Sequence, residues 1–441
     1  MKRLSCLTCL LLVCCILMSA RTERPAAKAF IGARVIDGTG KAPIENAVVV
    51  VRGGRIEAVG PSGKVAIPAG AERIDVSGKT IIPGLINAHG HVGATRGLLS
   101  RPEYYTRENV TEHLRLYARY GVTTVFSLGG DGPQAIELRD AQDSPALDRA
   151  RLYVAGPVLT PATPEEARQL VEKVAAMKAD IVKIRVDDNL GTTPKMPAPI
   201  YQAVIEQAHR SGLRVAAHMF YLEDARSLLR SGVDFLAHSV RDKVVDAELI
   251  SLLKQRDVCV CPTLVREVSA FAYEKTPEFF SDPFFLREAD PQVIEQLKDP
   301  ARQQAMKNSP TAQGYKHALE VASRNLKALS DAGVRIAFGT DSGPPARFQG
   351  YFEHMELELM AKAGLTPMQI LLSATRDAAR CMGLADRIGT LEPGKRADLL
   401  VLGANPLTDI TRTRTVESVW IAGNRVPPHE GTVGRTPAGK N

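Results

Sequence analysis

Short apolar runs, each closed by a polar or turn residue, recur through the middle of the chain and alternate with longer helix-like stretches. Eight can be read: Leu85 to His91, Val122 to Leu128, Leu152 to Val158, Ile181 to Val186, Leu213 to His218, Phe235 to His238, Val258 to Leu264 and Val334 to Thr340. Strands alternating with helices are the pattern of a parallel sheet built from βα units, and eight units predict an α/β fold, a TIM-type (β/α)8 barrel. The flanks read differently. From Ala29 to Val76, β-like runs such as Val48-Val49-Val50-Val51 and Ile56-Glu57-Ala58-Val59 are separated by turns such as Arg52-Gly53-Gly54-Arg55, and the runs Ala397 to Leu402 and Val416 to Ile421 resemble them. Both chain ends are expected to build one small β-sandwich, 29–84 with 385–428, with the barrel, 85–384, inserted between its halves, because domain termini tend to lie close together. Residues 429–441 read as a flexible Pro/Gly-rich tail.

Two stretches break the regular spacing. Arg266 to Thr311 is too long for an ordinary βα connection and carries Phe271, Tyr273, Phe279, Phe280, Phe284 and Phe285; it reads equally as a lid or as an aromatic helical insertion packed on the barrel or on a partner subunit. Gly339 to Phe352 is a Gly/Pro-rich loop after the eighth run and should border the barrel mouth.

Composition narrows the function. A formal charge of +7 without a basic run, with aromatic residues at 5%, argues against a nucleic-acid partner. The first 20 residues read as a signal peptide, with Lys2 and Arg3 before the apolar Leu4 to Met18 and the small exit Ser19-Ala20. An exported chain, periplasmic or secreted, is expected, with no stable membrane span after cleavage. Lipid attachment at Cys14 or Cys15 fits poorly, since Leu11-Leu12-Val13 is not the usual small-residue lead. Four of the seven cysteines lie in that leader. Cys259, Cys261 and Cys381 are too few for a disulfide framework, and Cys259 and Cys261, alternating with valines, read as core filling on one strand face.

The chemistry begins at His89-Gly90-His91, where strand alternation turns two imidazoles to one face at a strand end. Alone, such a pair more often just bonds to neighbouring backbone. Yet His218 and His238 close the fifth and sixth runs, Asp341 follows the eighth, and Lys183 lies inside Ile181-Val182-Lys183-Ile184. His113, His209 and His317 fall in polar helix-like stretches and read as solvated. In a barrel the ligand-type residues share the C-terminal strand ends, where chemistry gathers, and imidazoles with a carboxylate suit divalent ions, zinc first. A buried lysine has a depressed pKa, so the Lys183 amine can take up carbon dioxide and become an N-carboxylated bridge between two ions. Two ions lower the pKa of a water between them and one polarises the carbonyl to be attacked, with Asp341 as general acid–base. Arg185, two residues beyond Lys183, reads either as an anchor for a substrate carboxylate or as a salt-bridge partner of Asp187 or Asp188. His354 reads as packing its own helix.

Together Pro83-Gly84-Leu85-Ile86-Asn87-Ala88-His89-Gly90-His91, Ala217-His218, Ala237-His238, Gly339-Thr340-Asp341 and Gly394-Lys395-Arg396-Ala397-Asp398-Leu399 resemble the metal-dependent amidohydrolase superfamily, in its imidazolonepropionase-like and prolidase-like branch. The resemblance implies a barrel flanked by a urease-like β-sandwich. It places His89, His91 and Asp341 on a first metal, Lys183 bridging, and His218 and His238 on a second. It departs at Asn87, where many members carry aspartate, and at Met219-Phe220-Tyr221, where members carry a His-rich segment. The expected activity is hydrolysis of an amide, peptide or cyclic amide bond of a small molecule such as a dipeptide or N-acyl amino acid. Lactone or phosphoester hydrolysis at the same centre is the alternative, and a non-catalytic scaffold a more distant one. Self-association into a homo-oligomer is left open.

Overall fold

The computed structural model describes residues 26–428 apart from residue 145; the expected leader, the tail and His429 lie outside the described residues. The described chain opens with β1 (Ala27–Val35), β2 (Ile44–Arg52), β3 (Arg55–Pro61), β4 (Glu72–Asp75) and β5 (Thr80–Pro83). It continues with β6 (Leu85–Gly90), a short hairpin of β7 (Thr95–Arg96) and β8 (Leu99–Ser100), then β9 (Val122–Ser127), β10 (Arg151–Val154), β11 (Val158–Leu159), β12 (Val182–Arg185), β13 (Val215–His218), β14 (Phe235–Ala237) and β15 (Cys259–Cys261). It ends with β16 (Leu399–Leu402), β17 (Val416–Ile421) and β18 (Asn424–Arg425).

Both ends of the chain meet in one sheet of order β18-β17-β16-β5-β1-β2-β3, with β4 paired to β1. The join is the antiparallel pair β5·β16, Pro83 opposite Leu399. Alternation along β2 divides its valines: Val49 and Val51 pack with Phe30, Leu399 and Trp420, while Val48 and Val50 pack with Ala27, Ile31 and Ala58 on the other face.

The middle of the chain is α/β, with parallel strands in two sheets, β6-β9-β10 and β11-β12-β13-β14-β15. Helices cover them with apolar stripes of helical period: Arg107–Arg119 buries Val110, Leu114, Tyr117 and Ala118, and Thr106 caps its start by accepting from the Asn109 amide. Two expected runs depart from a single strand. The third splits into β10 and β11: the Gly156 amide turns to the Asp131 carboxylate at 3.1 Å, and the Ala155 amide is shared between that carboxylate, at 2.9 Å, and the Ser127 carbonyl of β9, at 3.0 Å. The eighth, Val334 to Thr340, forms no regular strand: the segment meets its neighbours at isolated parallel bridges, Ile336 with Val260 of β15 and Ser342 with Gly90 of β6. Its ladder is interrupted because the Phe338 amide donates to the Ser373 carbonyl instead, 3.2 Å. Even so, Ala337 bonds to Val260 and Ala88 to Phe338, both at 2.9 Å, so the segment lies between β15 and β6. At Gly339 this approach is so close that a Cβ would stand 2.5 Å from Cys261 Sγ and 2.8 Å from the His89 amide; only glycine fits.

Aromatic residues of the long insertion pack on the body. Tyr273, Phe280 and Phe285 are buried with Tyr120, Tyr351 and Phe352. The end sheet is tied to the body by a buried bidentate pair, Arg151 to Asp398 at 2.7 and 3.1 Å. No helix among the described residues is long and apolar enough to cross a membrane.

The expectation for the cysteines is corrected. Cys259 and Cys261 do share a core cluster, but Cys259 is disulfide-bonded to Cys381, leaving Cys261 as the free thiol among the described residues. Sequence spacing could not show this, because the partners are 122 residues apart and meet only when the helix Ala378–Cys381 packs beside β15. Closing so long a loop constrains the unfolded chain. Cys259→Ser should therefore lower unfolding stability by about 2–5 kcal/mol, read as a shift in denaturant midpoint; a midpoint unmoved by the substitution and by reductant excludes the clamp.

Candidate active site

The parallel strands place their C-terminal ends at one edge, and the ligand-type residues meet there. The imidazoles of His89 and His91 lie with ring centres 5.6 Å apart, those of His89 and His238 4.7 Å, and those of His218 and His238 4.2 Å. Lys183 Nζ is 3.3 Å from His89 Nε2. Asp341 Oδ1 is 2.8 Å from His91 Nε2 and 3.4 Å from His89 Nε2. All six residues expected from sequence are therefore brought together, and His89, His91 and Asp341 present ligand atoms within 4.8 Å of one another.

Outer partners fix which ring nitrogens face the centre. His91 Nδ1 is 3.0 Å from the Gly129 carbonyl, and His218 Nε2 is 2.8 Å from Asp187 Oδ2. Neither oxygen can donate, so each of these nitrogens carries a proton. In the neutral rings, His91 Nε2 and His218 Nδ1 are then left with lone pairs. His91 Nε2 thus faces a carboxylate oxygen as acceptor against acceptor, which calls for positive charge between them. His238 Nδ1 meets Thr263 Oγ1 at 2.7 Å, and its Nε2 is buried without a partner. Buried, orphaned ring nitrogens on adjoining histidines fit a divalent ion.

Electrostatics agree. Burial pushes His218 down to about 3 and holds His89 and His238 well below the usual histidine value, so these rings are neutral and ligand-competent. Burial lowers Lys183 to about 8, which leaves a substantial fraction as free amine. Burial alone would raise Asp341, but Arg347, His89 and His91 overcome it and hold the carboxyl well below its usual range. The backbone is strained at the same place. His238, Thr263 and Asp341 have φ of 78°, 51° and 58°, a left-handed region that costs such residues on the order of 1–3 kcal/mol each and concentrates at functional sites.

A model of the amidohydrolase family matches residues 80–426. The chain belongs to that family. An imidazolonepropionase of Deinococcus radiodurans is 24% identical over 86% of this chain and 92% of its own length. A 5-methylthioadenosine/S-adenosylhomocysteine deaminase of Symbiobacterium thermophilum is 25% identical over 85% of this chain and 84% of its own. Among solved structures, a putative prolidase from Bifidobacterium longum superposes with a TM-score of 0.74 at 29% identity, covering 92% of this chain and 96% of that one. The branch is therefore the imidazolonepropionase- and prolidase-like one, and this amidohydrolase is a hydrolytic enzyme of carbon–nitrogen bonds.

The other expectations resolve residue by residue. Arg185 makes the salt bridge, its Nε donating to Asp187 Oδ1 at 3.2 Å; it also lines a cavity of about 510 Å³ with Met196, Pro197 and Ile200. His113 is corrected: it is half-buried rather than solvated, its Nδ1 accepting from the Gly93 amide at 3.0 Å, and burial lowers it to about 4. His317 is 70% exposed as expected, and His354 packs its helix, bonded to Thr413 and Tyr120. Sequence reasoning missed Thr263, Arg347 and the orienting role of Asp187. Asp187 alone carried a signal, since it alternates with Lys183 and Arg185. Arg347 Nη1 meets Asp341 Oδ2 at 2.5 Å from the loop expected at the mouth.

A lysine near 8 in the fold and 10.5 in its reference state binds fewer protons folded than unfolded between those values, so its contribution to stability rises with pH there. The penalty is complete below pH 8 and gone above 10.5. Lys183→Met should accordingly stabilise the metal-free protein at pH 7 by on the order of 3 kcal/mol, at about 1.4 kcal/mol per pH unit. The gap from wild type should close as pH rises through that window in denaturant titrations; a gap independent of pH contradicts the buried amine.

Proposed function

We propose that the protein is a binuclear metal-dependent amidohydrolase that cleaves the amide or peptide bond of a small acyl amino acid or dipeptide, or a cyclic amide. The observation that carries this is Lys183, a buried amine contacting His89 in a cluster of four imidazoles. A single-ion centre needs no lysine there, whereas an N-carboxylated Lys183 would supply the anionic bridge a second ion requires. His89, His91 and Asp341 would hold one ion and His218 and His238 the other, with zinc the expected metal. Bound there, the ions would lower the pKa of a water between them and polarise the substrate carbonyl.

Asp341 does the proton work. Arg347 at its Oδ2 keeps the carboxyl ionised and ready to accept, so it takes the proton of the attacking water and returns it to the leaving nitrogen as the carbon–nitrogen bond breaks. One water is consumed, and an acid and an amine are released. Asp187 holds His218 by its Nε2–H, fixing the ring that presents Nδ1. Arg185, on the wall of the adjoining cavity, would contact a substrate carboxylate.

The fold that supports this is a (β/α)8 barrel spanning 85–384, with residues 334–342 as its eighth staves' join, beside a urease-like β-sandwich built from 29–84 and 385–428. Export is proposed from the basic and apolar leader, 1–20, and is supported by the Cys259–Cys381 disulfide, since such bonds persist in oxidising compartments. An exported protein whose N-terminus still begins at Met1 would contradict the cleaved leader.

Purified, metal-loaded enzyme should hold two ions per chain and hydrolyse some N-acyl amino acids, Xaa-Pro dipeptides or cyclic amides, with lactones and phosphotriesters as competing arms. Lys183→Ala should lose one ion and most activity. One ion per chain together with full activity in Lys183→Ala removes the binuclear reading. Arg185→Met should lose more kcat/KM on carboxylate substrates than on their amidated forms; equal losses remove the anchor.

A further inference from the structure

The helix Tyr351–Lys362 carries Glu353 on its first turn, fully buried, and no cation is among its hydrogen-bond or ion-pair partners. Its carboxylate is instead saturated by donors. Oε1 receives Asn87 Nδ2 at 2.7 Å, Thr340 Oγ1 at 2.6 Å and Ser342 Oγ at 2.6 Å, and Oε2 receives the Gly350 amide at 2.6 Å. These donors come from the two segments that supply the first ion's expected ligands. Asn87 lies two residues before His89 and accepts from the His89 amide through Oδ1 at 2.9 Å. Thr340 and Ser342 bracket Asp341, and Tyr117 extends the chain by meeting Ser342 Oγ at 2.7 Å.

The backbone also joins the two segments, the Ala88 amide donating to Phe338 at 2.9 Å and the His91 amide to Ser342 at 2.8 Å, but between these bonds the pairing is irregular, with the amides of both Thr340 and Asp341 directed at the single carbonyl of His89, at 3.1 and 2.6 Å. On its other side, the pairing of β6 with β9 shifts register between Asn87 and Gly90. A regular ladder does not set the distance from His89 and His91 to Asp341. One carboxylate with donors from both sides can do so.

We infer that Glu353 is a positioning residue, a pin that joins Asn87 to Thr340 and Ser342 and so sets the His89–His91–Asp341 geometry for the first ion while leaving the His218–His238 side untouched. The inference rests on the two-ion reading above. Outer partners of this kind typically govern metal affinity by 10–100-fold, and here the effect falls on one ion of the two.

The test measures zinc affinity by chelator competition, with cobalt(II) absorption as a spectroscopic report of ligand geometry, on full-length wild type, Glu353→Ala, Glu353→Gln, Ser342→Ala and Thr340→Val. In Glu353→Ala one zinc should bind 10–100-fold more weakly with the other unchanged, and the cobalt spectrum should alter for that site alone. Glu353→Gln, which keeps an acceptor oxygen but sets an amide against the Gly350 N–H, should recover part of the loss. A folded Glu353→Ala that binds both ions as wild type does overturns the inference. So does equal weakening of both ions, the mark of a general loss of structure. Should Glu353→Ala fail to fold, Ser342→Ala and Thr340→Val decide: selective weakening of one ion supports the pin, and no change in either overturns it. Wild type that takes up no zinc instead overturns the function on which the inference rests.

Discussion

Four imidazoles, a lysine and a carboxylate are gathered where water is nearly excluded, and the cost of keeping charge in that space governs the rest of the structure. Burial strips the proton from His89, His218 and His238, so these rings are presented as lone pairs rather than as cations, and it loosens the proton on Lys183. Asp341, which faces His89 and His91, is kept ionised by Arg347 from the far side. Every outer contact follows from this economy of charge. Asp187 and the Gly129 carbonyl each take a ring proton and thereby point the opposite nitrogen inward. Neutral rings placed in this way tolerate one another's proximity.

Much of this was legible because two periodicities coincide. Strand alternation and βα spacing put His89, His91, His218, His238 and Asp341 at equivalent ends, and a parallel arrangement can only collect such ends at one edge. Six of the eight expected runs coincide with a single strand. The two that do not were hidden by contacts from outside the run rather than by pattern: Asp131 takes the Gly156 amide after the third, and the Ser373 carbonyl takes the Phe338 amide in the eighth. Nor could spacing reveal contacts made across the fold. The Cys259–Cys381 bond, the Thr263 hydroxyl beneath His238 and the Arg347 pair with Asp341 join residues whose separation carries no periodic signal. His113 misled because its stretch is polar, yet the hairpin 95–100 and the Gly93 turn cover it. The terminal strands were easier, as alternating valines between glycine turns leave few other readings.

The pairing of β5 with β16 and the buried Arg151–Asp398 pair carry a consequence for how the chain comes to be folded. Their partners lie near opposite ends of the sequence, so the loop to be closed is almost the whole molecule, and its entropy must be met before either contact is rewarded. A chain emerging from synthesis can assemble local βα units early, but the seam cannot form until its last strands are available. Completion is thereby deferred to the end of the chain.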